Sequence, residues 1–379
     1  MNFEHSVERR MLADVLDRYI RHDYSFDTRK EIQLSKERFS RKVWEQLCEI
    51  GVLSVLFSEE DGGFGGSAFD ISVVFESLGR GLVLEPVMGS ALLAGTVLLA
   101  AGDAEHVSLA NDVTSGGAIA ALAHGEPESG YNTRYVSTGA RREGGNWILN
   151  GCKANVSQGQ VASTFLVSAR TSGRFDDEAG ISLFVVPAGA HGITTQELST
   201  FDGGKIIELT LDEVCLPASA LVGPEGGAFS AIELALSKGT LALCAEAVGA
   251  MDVALNSTLE YLKTRKQFGV PIGSFQALQH RMATLAIEIE QARSAVINAS
   301  AALDGKDRGA AELALSAAKY LIGKVGTMVA EECIQLHGGI GMTDELPLSH
   351  YAKRLLAIDH ELGDATFHLD RFITLGRTQ

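Results

Sequence analysis

Two stretches in the last third of the chain bring together residue types suited to a flat, anionic ligand. In Arg265-Lys266-Gln267-Phe268-Gly269-Val270-Pro271-Ile272-Gly273-Ser274-Phe275-Gln276, Arg265 supplies a guanidinium fork matched to a pyrophosphate. Gln267 and Gln276 can hydrogen-bond a polar rim, and Phe268 offers an aromatic face. In Gln335-Leu336-His337-Gly338-Gly339-Ile340-Gly341-Met342-Thr343, the diglycine lets backbone approach a ligand with no Cβ between. Each stretch also has a plain structural explanation. Gly269 and Pro271 end one helix, Ser274 can cap the next, and a diglycine past a long helix is an ordinary stop. Singly, neither identifies a function.

Other catalytic signatures fail. His360-Glu361 opens like HExxH, but Asp364 stands where the second histidine belongs, and no metal site is expected. Ser316-Ala317-Ala318-Lys319 matches SxxK by chance, in an alanine-rich helix without the companion motifs. There is no GxxxxGK[ST], and the glycines of Gly62 to Gly66 follow no strand of a βαβ unit. Five scattered cysteines (Cys48, Cys152, Cys215, Cys244, Cys333) form neither a disulfide framework nor a zinc cage. With 32 Lys+Arg against 48 Asp+Glu, the net charge of −16 lacks the basic footprint that nucleic acid or an anionic membrane requires. No signal core follows the charged N-terminus, and no apolar run approaches the roughly 20 residues of a spanning helix. We therefore expect a cytoplasmic protein with no membrane insertion.

The elements that must position these stretches fall into three regions of 379 residues, too many for one core. Residues 1–117 read as helical: Val43, Leu47 and Ile50 share one helix face, and helix-like segments run from Ile71 to Leu78 and from Leu92 to Ala101. Residues 118–225 read as short strands around Trp147–Asn150, Thr164–Ser168, Ile181–Val186 and Ile206–Leu211. With no long helix between them, these predict an antiparallel sandwich or barrel. Residues 226–379 read as a four-helix bundle. Its first helix, about Ala228 to Leu262, is apolar nearly all round. Phe275, Leu278, Met282, Leu285, Ile289, Ala292, Val296, Ala299 and Leu303 alternate 3 and 4 spacings, as do Ala311, Leu315, Ala318, Ile322, Val325 and Val329. A last helix is expected near Leu346 to Ile373. The class is α+β.

Jointly, the two C-terminal stretches resemble the signatures of the acyl-CoA dehydrogenase family, and the same order of helices, strands and bundle is that family's fold. The resemblance extends to Asp61-Gly62-Gly63-Phe64-Gly65-Gly66 and Leu211-Asp212-Glu213-Val214-Cys215-Leu216-Pro217. Within the family, Gly79-Arg80-Gly81-Leu82-Val83-Leu84-Glu85-Pro86, Leu243 to Gly249 and Gly363-Asp364-Ala365 are most similar to the pimeloyl-CoA small-subunit and steroid-acyl-CoA subgroup. The resemblance implies FAD, an acyl-CoA thioester, an electron-transfer flavoprotein, and a homo- or hetero-tetramer with a paralogous subunit. It assigns Arg265, Gln267 and Phe268 to the adenosine pyrophosphate side, joined by Gln276, with Gln335, Gly338 and Gly339 approaching from another subunit. Leu122, His124 and Gly125 take the flavin-edge positions, and Asn155 and Ser157 the positions flanking the ring. Asp364 and Thr366 follow as flavin contacts.

One part of the pattern is missing. The family's catalytic glutamate precedes a glycine that aligns with Gly363, so the base position is Leu362; the alternative position on the first bundle helix is Gly239. The substrate arginine maps to Thr240. A positioned general base contributes roughly 10²–10⁴-fold, so its loss matters. Glu361, Glu246 and Asp364 are the substitutes nearby. The resemblance thus leaves three readings: a flavin-binding subunit completed by a partner that carries the base, an active homo-oligomer using Glu361 or Glu246, or a non-catalytic assembly subunit.

Overall fold

The computed structural model describes residues 6–102 and 105–377. The first helices are α1 (Val7–His22), α2 (Phe26–Leu34), α3 (Arg41–Ile50), α4 (Ala68–Gly81), α5 (Gly95–Ala101) and α6 (Val107–Ser115). The strands follow: β1 (Ala120–Ala123), β2 (Gly139–Glu143), β3 (Asn146–Ser157), β4 (Thr164–Arg170), β5 (Ile181–Pro187), β6 (Ile193–Ser199), β7 (Lys205–Leu216) and β8 (Leu221–Val222). Helix α7 (Phe229–Thr264) leads to a short hairpin of β9 (Lys266–Gln267) and β10 (Val270–Pro271). The chain ends in α8 (Gln276–Leu303), α9 (Arg308–His337), α10 (Pro347–His360) and α11 (Ala365–Gly376). Two compact units emerge. A sheet unit holds Ile32–Gly66 and Leu84–Gly239; a helical unit holds the described residues up to Glu31, Ser67–Val83 and those from Thr240 onward.

In the sheet unit, α3 begins where the Ser40 side chain accepts from Val43 N–H and stops at left-handed Gly51. It buries Val43, Trp44 and Leu47, the face its spacing predicts. The expected helix from Leu92 starts earlier and differently: Val87–Ala94 is a π-helix that feeds α5. The strands form one sheet ordered β6-β7-β3-β2-β4-β5-β8, with β1 on β4. That sheet is mixed and not wholly antiparallel, because β1 runs parallel to β4 and β2 meets β4 in parallel at Gly139↔Arg170. No hairpin constrains the direction of β1, which lies some forty residues before its partner in sequence. Strand β4 is buried on both faces: Phe165, Val167 and Ala169 enter one core with Trp147 and Phe184, and Leu166 enters another with Leu98, Leu183 and Phe229.

In the helical unit, Ser67 and Asp70 form a capping box that starts α4. Met282, Leu285, Ile289, Ala292, Val296 and Ala299 of α8 are buried, as are all six positions of the α9 series. The final helix departs from expectation. It breaks into α10 and α11 at residues 361–364, where Leu362 (φ 55°) and Gly363 (φ 109°) both take positive φ, so a fifth helix joins the expected four. Contrary to the sequence reading, α7 and the stretch Arg308–Met342 are each long and apolar enough to span a bilayer. The apolar windows are 78% and 56% buried inside the protein, as in core helices.

Candidate functional site

The candidate residues of the sheet unit gather around one buried cluster. Lys153 of β3 is fully buried and donates from Nζ to Glu126 (2.7 Å), Ser168 Oγ (3.1 Å) and the His124 carbonyl (3.2 Å). Glu126 also accepts from Ser137 N–H and Oγ and from Thr138 N–H. Burial alone would raise its pKa, but the Lys153 charge and these donors override it and hold it near 2. Burial lowers Lys153 to about 8 against the pull of Glu126. His124, pushed to about 4 by burial and then by Lys153, is neutral at pH 7. Its two ring nitrogens face Ser168 Oγ (2.9 Å) and the Thr133 carbonyl (2.8 Å), so the side chain is engaged within the protein. The Gly125 carbonyl accepts from Ala154 N–H (2.8 Å). Leu122 and Gly125 are half-buried, Asn155 is exposed and Ser157 half-buried. Asn155 has φ 54° at a register shift between β3 and β7, a conformation that asparagine tolerates.

The C-terminal stretches are laid open. Arg265, Gln267, Phe268, Gln276, Gln335, Gly338 and Gly339 are all exposed; Phe268 is 90% exposed and holds φ 54°. A Cβ placed on Gly338 or Gly339 would meet nothing within 4 Å. His337 stacks on Tyr261 (4.4 Å between centroids) and its carbonyl accepts from the Tyr261 hydroxyl, which fixes the end of α9 just before the diglycine. Beside the hairpin lies a cleft of about 490 Å³ lined by Leu259, Leu262, Pro271, Gly273 and Met282. A guanidinium, three amides, an aromatic face and open backbone fit the adenosine and pyrophosphate portion of a dinucleotide.

The base region is tightly tied. Glu246 of α7 receives Arg354 Nε (2.6 Å) and Nη2 (2.9 Å), and Arg354 Nη1 reaches Glu361 at 2.5 Å. The two carboxylate candidates thus share one guanidinium. Asp364 caps α11 by accepting Phe367 N–H (2.8 Å), and Thr366 is exposed. Gly239 lies within α7 and Leu362 in the loop, neither with an acid. A leucine at φ 55° costs on the order of 1–2 kcal/mol. Its carbonyl accepts from His368 Nε2 (3.0 Å), so that nitrogen carries the proton; burial pushes His368 to about 4 and keeps it neutral. Fully buried Lys319 donates to the carbonyls of Asp359 (2.9 Å) and Gly363 (2.6 Å), and burial lowers its pKa. Among the described residues, the N–H groups of Leu362 and Gly363 have no protein acceptor. The loop leaves backbone donors open, while its carboxylates, Glu361 and Asp364, are engaged by Arg354 and by the start of α11.

Sequence reasoning missed Lys153, Glu126, Lys319, Arg354 and His368. The available signal for Lys319 was a cation inside the apolar series Leu315, Ala318, Ile322. For Lys153 it was a cation in step with the inward-facing Trp147 and Leu149.

Family models match the chain in three places: acyl-CoA dehydrogenase N-terminal domain at residues 6–107, middle domain at 121–214, and C-terminal domain at 226–369. Acyl-CoA dehydrogenase FadE12 of Mycobacterium tuberculosis is 32% identical over 352 residues, spanning 91% of this chain and 89% of the relative. Among solved structures, the ChsE4–ChsE5 complex from Mycobacterium tuberculosis is 26% identical with a TM-score of 0.90, covering both chains fully. A variant of the Tcur3481–Tcur3483 steroid acyl-CoA dehydrogenase is 29% identical with a TM-score of 0.87 over 98% of each chain.

Proposed function

The chain belongs to the acyl-CoA dehydrogenase family, and from that premise we propose that it is the FAD-binding, base-deficient subunit of a dehydrogenase completed by a related second chain. The observation that carries this reading is the base loop. Leu362 stands where the family places its glutamate, while Glu246 and Glu361 are both engaged by Arg354. A base must be within hydrogen-bond reach of the proton it abstracts and free to take it. A carboxylate committed to a guanidinium is poorly suited to that task.

The binding functions are kept. When bound, FAD supplies the acceptor for the two electrons taken from the acyl chain. Arg265 pairs with its pyrophosphate, Gln267, Gln276 and Gln335 hydrogen-bond its polar edge, and Phe268 gives a face to the adenosine. Gly338 and Gly339 leave the backbone open to the same ligand, contributed to the site of a neighbouring subunit. Leu122, Gly125, Asn155 and Ser157 line the flavin edge, with His124 serving beneath them through its ring bonds and carbonyl. The Leu362 N–H receives the thioester oxygen of an acyl-CoA, which favours charge on that oxygen. The α-proton is removed by a carboxylate of the partner chain, and an electron-transfer flavoprotein takes the electrons onward. Likeness to one structure described as a two-component complex supports the heteromer, and likeness to a steroid acyl-CoA dehydrogenase makes ring-bearing acyl groups the first to try.

The test is to purify the chain alone and with its paralogue, record the flavin absorbance, and assay an acyl-CoA panel with an artificial electron acceptor. We expect a yellow protein that turns over only in the pair. Turnover by the single chain would instead support an active homo-oligomer using Glu361 or Glu246. A chain that stays colourless with added FAD would support an assembly subunit.

A further inference from the structure

The loop of residues 361–364 is held through its own carbonyls and through bonds to the helix ends that flank it. Lys319 Nζ takes the oxygens of Asp359 and Gly363, and His368 Nε2–H takes that of Leu362. The Asp359 carboxylate accepts Ala365 N–H (3.1 Å), and Asp364 accepts Phe367 N–H. None of these bonds uses the N–H of Leu362 or of Gly363. The two N–H groups left over are consecutive and lie at positive φ. We propose that Lys319 and His368 are positioning residues for acyl-CoA recognition: by holding the carbonyls of Leu362 and Gly363 they fix the turn that carries the Leu362 and Gly363 N–H groups and so aim those donors at the thioester oxygen.

Three features favour this over a purely structural role. A buried ammonium is costly unless paired, yet among the described residues Lys319 forms no salt bridge, and its hydrogen bonds go to the last turn of α10 and to the loop that follows it. His368 lies on α11, downstream of the loop, and spends its only donor on Leu362, a leucine held at positive φ. Its Nδ1 is buried and unpartnered among the described residues, so no second bond explains the placement of the ring. Lys319 and His368 come from different helices and converge on adjacent peptide groups.

The inference rests on the acyl-CoA reading, and its test separates the two. The probes are octanoyl-CoA and octyl-CoA, the thioether that lacks the carbonyl, titrated calorimetrically into the FAD-loaded chain, with its partner subunit where the two copurify. Wild type should prefer the thioester. Lys319→Met and His368→Leu should each cut that preference roughly tenfold, the effect of losing one charge-assisted or buried hydrogen bond, with octyl-CoA binding unchanged. His368→Gln, whose amide can still donate to Leu362, should restore most of it. A merely structural role would weaken both probes together, and folded variants with an unchanged ratio would overturn the proposal. Should Lys319→Met fail to fold, the His368 pair decides. Wild type that binds neither probe would overturn the acyl-CoA reading itself.

Discussion

The molecule buries two lysines completely, and the way each is satisfied separates scaffold from working loop. In the sheet unit, Lys153 sits against the carboxylate of Glu126, with His124 and Ser168 around it. In the helical unit, Lys319 has carbonyl oxygens and, among the described residues, no ion-pair partner. A paired charge is neutralised and gives a fixed, costly-to-break joint. A charge satisfied by peptide dipoles ties itself to backbone shape, with the acids Asp359, Glu361 and Asp364 acting on it only at a distance. The difference teaches that the sheet unit spends its buried cation on holding a strand end still, and the helical unit spends its own on holding a turn in a chosen form.

That contrast can be broken most severely at the turn. If the loop keeps a productive shape and lacks only an acid, Leu362→Glu should give the isolated, FAD-loaded chain a turnover rate higher by roughly 10²–10⁴-fold; an inactive but folded variant would show that more than the carboxylate is missing. Next in size, Lys153→Met should destabilise the protein by roughly 3–5 kcal/mol by leaving Glu126 buried and unpaired. Adding Glu126→Gln should recover much of that loss. Lys319→Met should cost less, roughly 1–2 kcal/mol, since it frees carbonyls and strands no charge. Thermal denaturation of the three variants ranks them, and a reversed order would undo the comparison.

Arg354→Met should cost roughly 2–3 kcal/mol by stripping Glu246 and Glu361 of their shared partner. It should leave the single chain without turnover; activity gained there would point to a relocated base. The most gradual effect is on pH. His124 titrates near 4 in the folded chain against 6.5 ordinarily, and Glu126 near 2 against 4.5. In both windows the unfolded chain binds the extra proton, so stability rises with pH. Read downward, the melting temperature should fall first between about 6.5 and 4 and again between about 4.5 and 2. The lower step should vanish in Glu126→Gln.

Much of the architecture was legible because side-chain periodicity reports burial directly. The 3 and 4 spacing of α8 and α9 marked their inward faces, residue by residue from Met282 to Ala299 and from Ala311 to Val329. Strand β1, with the sequence Ala-Ala-Leu-Ala, carried no such signal, since alanine favours no strand and its parallel pairing with β4 is a long-range event. The break between α10 and α11 was hidden for a local reason: Gly363 announces a turn, but nothing in a leucine announces positive φ. At the site, the exposed groups around Arg265 and Gly338 were readable from residue type alone. The tethers were not, because Arg354, Lys319 and His368 act through partners many residues away.

Positions 362 and 363 also differ in what the backbone there allows. A Cβ on Gly363 would fall 2.5 Å from Phe367 and 2.6 Å from His368 Nε2, so no codon but glycine's is compatible with the turn. Its neighbour already bears a full side chain at φ 55° and sets no comparable limit on what that side chain is. Chemical identity at 362 is therefore interchangeable without redrawing the backbone, and an acid can be lost or regained there by exchanging one residue while its glycine neighbour stays frozen.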